Sequence, residues 1–164
     1  MLTIRNAIPP NAEQISALIT SQAHLFLASP ESSEALKFRA AITPQALALY
    51  MARPNIDYRV ADEDGVFCGA AALRDYRHLQ HLFVVPAFQQ RGIGRQLWRA
   101  VRDAAWAAGN AGEFTVNASL NAVPVYQRFG FEFVSGPQQD KGLIFQPMKL
   151  ICLTSQAPSI RPPA

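Results

Sequence analysis

The segment Gln89-Gln90-Arg91-Gly92-Ile93-Gly94-Arg95 carries the clearest chemical signal in the chain. An apolar run, Leu82-Phe83-Val84-Val85-Pro86, precedes it, and apolar residues spaced three and four apart follow it. Strand, short glycine loop and helix are therefore read in succession. Gly92 and Gly94 remove side chains where a ligand can approach the backbone. The amides from Gln90 to Arg95 point outward at the start of the helix, where partial positive charge accumulates, and such a nest binds phosphate oxygens. Arg91 and Arg95 can add charge-assisted bonds. The loop has neither the Gly-Lys-Ser/Thr of a Walker A motif nor a GxGxxG fingerprint. A tight turn whose glycines serve only packing is the bland alternative. Other chemistries are poorly served. His24, His78 and His81 and the isolated Cys68 and Cys152 show no zinc-ligand spacing, and no G-x-S-x-G elbow occurs.

The elements that must hold this loop can be read on either side of it. Residues 1–6 alternate as a short strand, and Ile8-Pro9-Pro10 breaks it before Asn11, a candidate cap. Ile15, Leu18, Ile19, Leu25 and Phe26 predict an amphipathic helix over 12–27. Ser32 or Ser33 can cap a second helix near Glu34, and Pro44 can open a third. Tyr58–Ala61 and Val66–Leu73 flank Asp62-Glu63-Asp64-Gly65 as a hairpin. Leu79–Val85 reads as a central strand, 93–108 as a helix, Phe114–Ala118 as a buried strand and Ala122–Phe129 as a short helix. Phe131–Val134 and 143–152 are the last strands, with Pro147 marking a bulge or edge. The order implies one α/β (α+β) domain, a mixed central sheet flanked by helices. The helix between strands 79–85 and 114–118 makes a parallel β–α–β unit with a right-handed crossover.

Composition agrees with this reading. The chain has 164 residues, 49% hydrophobic and 16% charged, which excludes a disordered chain and supports a core. No apolar stretch suits a membrane span, and the N-terminus lacks the layout of a signal peptide. Free thiols in a reducing, cytoplasmic setting are expected. The net charge of +3 does not by itself argue for nucleic acid, although Arg91, Arg95, Arg99 and Arg102 cluster.

Two motifs together resemble the GCN5-related N-acetyltransferases. The first is the loop itself, which matches that family's Q/R-x-x-G-x-G/A pyrophosphate motif at Gln89, Gly92 and Gly94, after Leu82–Pro86. The second is Asn117-Ala118-Ser119-Leu120-Asn121-Ala122-Val123-Pro124-Val125-Tyr126-Gln127-Arg128-Phe129-Gly130-Phe131, with its Tyr-x-x-x-Gly-Phe ending. The resemblance spans residues 1 to about 152 and is most specific from 79 to 134. It implies an acyl-CoA N-acyltransferase fold with a mostly antiparallel sheet, an N-acetyltransferase domain over 1–153 and a proline-rich tail over 154–164. It also implies acetyl-CoA as co-substrate. Its diphosphate is expected on Gln89, Gln90, Arg91, Gly92, Ile93, Gly94 and Arg95. Its pantetheine arm is expected to pair with the backbone of Phe83, Val84 and Val85 in a splay between the parallel strands, with Ser119 and Asn121 beside it. The Val84 amide can polarise the thioester carbonyl.

In the resemblance Tyr126 takes the place of the general acid that protonates the departing thiolate. A phenol donates readily at neutral pH and is a poor base. A core aromatic with a satisfied hydroxyl is the competing reading. Where many family members carry a glutamate, before Leu82, this chain has His81. Histidine can act as base directly or through water, can serve another polar role in the site, or can be structural. The expected partner is a primary amine of a small molecule or peptide, framed by residues 20–40 and 74–80. Glu31 and Glu34 are candidates to meet a cationic amine, and Phe26 or Phe38 to form an apolar slot. No nucleic-acid or membrane partner is expected. A homodimer can use the apolar Leu143-Ile144-Phe145 run. The alternative function is a non-catalytic acyl-CoA-binding regulatory domain.

Overall fold

A computed structural model describes residues 1–152; the expected 154–164 tail lies outside the described residues. The strands are β1 (Leu2–Asn6), β2 (Ile56–Glu63), β3 (Val66–Arg74), β4 (His78–Val84), β5 (Glu113–Ala118), β6 (Glu132–Phe133), β7 (Gln138–Asp140) and β8 (Leu143–Ile151). The helices are α1 (Asn11–Gln22), α2 (Ser33–Ala41), α3 (Pro44–Met51), α4 (Ile93–Ala107) and α5 (Val123–Arg128). Among the described residues the sheet order is β1-β2-β3-β4-β5-β8-β6, with β7 also on β8. Only the β4–β5 pair is parallel.

Local chemistry explains most of these boundaries. Ser32 and Thr43 hydroxyls accept the Ala35 and Ala46 amides at the starts of α2 and α3. Asp64 and Gly65 both take positive φ, 51° and 82°, in the β2–β3 turn, the backbone twist that a tight hairpin requires. Helix α4 buries Ile93, Leu97, Trp98, Val101 and Ala105 against the sheet, in one core with Phe114, Tyr126, Phe131 and Met148. On the opposite face α1 and α3 bury Ile15, Ile19 and Leu47 against Tyr58, Val60, Ala70 and Ala72. Strand β3 is therefore buried on both faces and made of small residues. At Gly69 a Cβ would stand 2.8 Å from the Phe83 carbonyl and 3.1 Å from Leu97, so α4 could not lie this close over any larger residue.

Several expectations are corrected. Asn11 is the first residue of α1 rather than its cap, and its Oδ1 instead accepts from the Ile8 amide at 3.0 Å and the Arg5 guanidinium at 3.1 Å. The helix stops at Gln22, because the chain tightens through Ala23–Leu25 and then extends so that Leu27 bridges Leu143. Pro147 marks no bulge against β5, and on its other side it sits at a local edge. The β5–β8 register runs unbroken from Glu113↔Ile151 to Ala118↔Gln146, and Pro147 falls between the stretches that β6 and β7 cover on the other side. Its missing N–H costs no ladder bond there. Strand β6 is only Glu132–Phe133, because Phe131 turns into the core against Trp98, 5.3 Å between ring centroids. Strand β7, which has no apolar signal in the sequence, pairs with one backbone edge of the Leu143–Phe145 run. The Phe26 carbonyl accepts the Ile144 amide on that same run.

Candidate active site

Strands β4 and β5 pair only at His78↔Thr115 and Leu79↔Val116. Beyond that point they part, and Gln80–Val84 has no strand partner on the β5 side. Two features cause the parting. The β3–β4 register shifts between Ala72 and Leu73, opposite Gln80, which re-aims β4. Strand β5 ends at Ala118 and the chain turns away through Leu120–Ala122 into α5. The result is a cleft of about 960 Å³ that reaches from the glycine loop to Phe26, in the turn after α1, and Phe38 of α2.

Backbone alternation decides which groups face the gap. The Val85 amide donates to the Cys68 carbonyl at 2.9 Å, so Val85 and Phe83 point their polar groups at β3. Leu82 and Val84 therefore turn theirs toward the gap. Of the three residues expected to offer backbone, Val84 is the one so placed, and Leu82 joins it. Sequence missed Leu82 because only the register with β3 distinguishes it from its neighbours. The Val84 carbonyl already accepts two side-chain amides, Gln22 Nε2 at 2.9 Å and Gln89 Nε2 at 3.0 Å. Gln22 was not anticipated, since nothing in α1 marks its last residue as reaching β4.

At the mouth of the gap the loop adopts a nest. Gln90 and Gly92 take φ of 62° and 78°, and the amides of residues 90–95 have no acceptor among the described residues. Gly92, Ile93, Gly94 and Arg95 line the cleft with Gln89 and Gln90. A Cβ on Gly94 would lie 3.7 Å from Val84 and one on Gly92 would touch nothing, so packing does not require either glycine. Arg91 stands apart: its guanidinium is held by Glu63 at 2.6 Å and lies over Phe88, 5.4 Å from the ring centroid.

Ser119, Asn121 and Tyr126 line the α5 side of the cleft. Tyr126 is buried by Phe129 and Phe131, with centroids 6.0 and 5.7 Å away. Burial pushes its phenol above the ordinary value, so it stays protonated, and its hydroxyl has no hydrogen-bond partner among the described residues. Across the cleft His81 Nδ1 lies 2.8 Å from the Tyr58 hydroxyl. Burial pushes Tyr58 up and holds His81 down to about 4. Tyr58 has no other acceptor among the described residues. Donation of the Tyr58 proton to His81 Nδ1 satisfies both groups, and His81 then carries its own hydrogen on Nε2; the opposite tautomer would leave the phenol proton without an acceptor among the described residues. His78, bonded through Nδ1 to Thr115 Oγ1 at 2.8 Å, is likewise lowered to about 4, first by burial and then by Arg74 and Arg77. Phe26 and Phe38 line the cleft, whereas Glu31 and Glu34 do not.

A family model described as an acetyltransferase (GNAT) domain matches residues 26–152. No sequence among the curated proteins matches the chain. Similar solved structures include a GCN5-related N-acetyltransferase from Rhodopseudomonas palustris, 24% identical, covering 92% of this chain and 95% of that one with a TM-score of 0.74. PaiA N-acetyltransferase from Thermoplasma acidophilum, solved in complex with coenzyme A, is 16% identical over 93% of this chain and 99% of its own, with a TM-score of 0.73. The yncA protein of Salmonella typhimurium, solved with its cofactor acetyl-CoA, is 24% identical over 98% of this chain and 99% of its own, with a TM-score of 0.68. At these identities the structures speak for the fold, and the family match covers most of the sequence: the chain belongs to the GNAT acetyltransferase family.

Proposed function

We propose that this protein is an N-acetyltransferase that moves the acetyl group of acetyl-CoA to a primary amine by direct attack in a ternary complex. The observation that carries the reading is the parted β4–β5 pair with unpaired amides at its mouth. Amides 90–95 and Arg95 suit the coenzyme diphosphate. The gap accepts an amide-containing arm as a short added strand against Leu82 and Val84, flanked by Ser119 and Asn121. To reach the Val84 carbonyl the arm must displace Gln22 or Gln89. An N–H of Leu82 or Val84 polarises the thioester carbonyl as negative charge develops on its oxygen.

The neutral amine attacks the carbonyl carbon. A C–N bond forms, the C–S bond breaks, and the sulfur leaves as thiolate. Tyr126, protonated and without another partner, donates to that sulfur and regains a proton from the water that takes up the amine's. The amine loses one proton, and the products are the amide and free coenzyme A. With its hydrogen on Nε2, His81 orients the acceptor as a donor, and the amine's proton passes to water in the open cleft. As general base, His81 would need its hydrogen on Nδ1, with Tyr58 accepting. Its acidic limb in kcat/KM would then lie near pH 4, and His81→Gln would remove it.

The deciding experiment is a thermal-shift titration with coenzyme A and acetyl-CoA, followed by thiol release over a panel of amines. Stabilisation by both ligands with amine-dependent thiol release supports the enzyme. Absence of coenzyme binding refutes it. Binding without turnover on any amine favours the regulatory acyl-CoA-binding alternative.

A further inference from the structure

One half of the cleft is walled by aromatic rings in series. Phe38 meets Phe26 edge-on at 5.4 Å, Phe26 meets Phe83 at 6.2 Å, and Phe83 meets His81 at 6.0 Å. All four are half-buried and line the cleft. They come from the turn after α1, from α2 and from β4, so the wall exists only in the folded chain. Such a wall takes a flat apolar body through edge and face contacts.

The charges around the cleft have the opposite sign to those a polyamine needs. Among the described residues the only carboxylate lining it is Asp140, with Lys141 as its chain neighbour, whereas Arg74, Arg95 and Arg128 line it as cations. Arg95 lies in the first turn of α4, beside the glycine loop. Arg74 sits at the other end, closing β3 opposite His78. Arg74 lines the same cleft as His81, whose register partner Ala72 lies two residues before Arg74 on β3, so its side chain stands at the His81 end of the aromatic wall.

The turn after Arg74 is fixed. Asp75 and Tyr76 take φ of 54° and 51°. The Asp75 amide donates to the Asn55 carbonyl at 2.8 Å, and Asn55 Nδ2 donates to Asp75 Oδ1 at 2.8 Å. Arg74 Nε is 3.7 Å from Asp75 Oδ2, a loose contact between exposed groups that contributes little. The backbone beside Arg74 is thus anchored at the cleft, and its guanidinium fork, with no closer partner than Asp75, can grip a carboxylate in bidentate fashion.

We propose that the acceptor is a small amine with an aromatic body and one carboxylate, the class of the aromatic α-amino acids, and that Arg74 reads the carboxylate. This rests on the acetyltransferase reading and deepens it. Phe26, Phe38 and Phe83 hold the ring, Arg74 sets which end enters, and the amine is left toward the thioester.

The test compares matched pairs in a thiol-release assay with acetyl-CoA: phenylalanine against phenethylamine, and tyrosine against tyramine, with spermidine and a lysine-containing peptide as cationic acceptors. The carboxylated member of each pair is expected to have the higher kcat/KM, by about tenfold or more, the range of one charge-assisted pair. Arg74→Gln should abolish that advantage by raising KM for the amino acid, with kcat and the decarboxylated amine little changed, and Arg74→Lys should restore part of it. Phe38→Ala should weaken both members together. Preference for spermidine or the peptide overturns the proposal, as does an equal effect of Arg74→Gln on both members. No turnover of either pair by protein that binds coenzyme A also overturns it, while the acetyltransferase reading survives if another amine reacts. Failure to bind coenzyme A removes both.

Discussion

At the scale of single residues, the site depends on where protons are held. Tyr126 is buried, protonated and unpartnered, so its hydroxyl contributes nothing to folding through hydrogen bonding. Tyr126→Phe is expected to lower kcat about 10²-fold or more while coenzyme affinity and Tm stay within error. An unchanged kcat would remove its role as acid. Tyr50 is the counterpart with no task in the mechanism. Its hydroxyl is buried without a partner, and its ring packs 5.9 Å from His81 and 6.3 Å from Tyr58. Removing an unsatisfied polar atom and keeping the ring should be neutral or stabilising, by up to about 1 kcal/mol, or about 2–4 °C in Tm for a chain of this size. A clear fall in Tm after Tyr50→Phe would show that the hydroxyl does have a partner.

At the scale of elements, glycines separate packing from ligand approach. Gly69 is demanded by β4 and α4 together: its Cβ would stand 2.8 Å from the Phe83 carbonyl and 3.1 Å from Leu97. Gly69→Ala should cost about 1–3 kcal/mol as overpacking, read as a lower Tm. Gly94 lies in the first turn of α4 with no contact closer than 3.7 Å at its Cβ position. Gly94→Ala should therefore raise Tm, by up to about 1 kcal/mol of helix propensity. In the proposed complex the same methyl would stand where the coenzyme approaches the amides. Its Kd, measured by calorimetric titration, should rise about fivefold or more, the equivalent of roughly 1 kcal/mol. Stability and binding thus move in opposite directions at Gly94. If both improve, the loop is a packing turn and nothing more.

At the scale of the whole molecule, β4 is the shared wall of two cores and of the cleft, so acidification acts on fold and site together. His78 and His81 are both held down to about 4 against an ordinary value of 6.5. The unfolded chain therefore binds more protons than the folded one between these values, and stability falls as pH drops through that window. Tm should be flat above pH 7 and decline from about 6.5 toward 4. His81→Gln, which keeps an acceptor for Tyr58, should flatten part of the decline. An unaltered profile would assign the acid sensitivity elsewhere.

The linear chain determined what depends on neighbours a few residues apart. The loop Gln89–Gly94, the caps at Ser32 and Thr43, the Asp64-Gly65 turn and the spacing of Ile93, Leu97 and Val101 are all local patterns with local causes. That is why the strand–loop–helix unit was legible there, and why Tyr126, which does line the cleft, could be singled out from its motif. Tertiary structure decided what depends on register and on contacts between distant segments. Only the pairing of β3 with β4 turns Leu82 and Val84, rather than Val85, toward the gap. Only folding brings the Tyr58 hydroxyl to His81 Nδ1. It also carries Gln22 to Val84, Glu63 to Arg91 and the Leu143–Phe145 run to β7, and it sets Arg74 at the end of a wall built from three elements. A side chain's chemistry is fixed by its covalent structure, but its protonation, partner and direction are set by whatever the fold packs beside it.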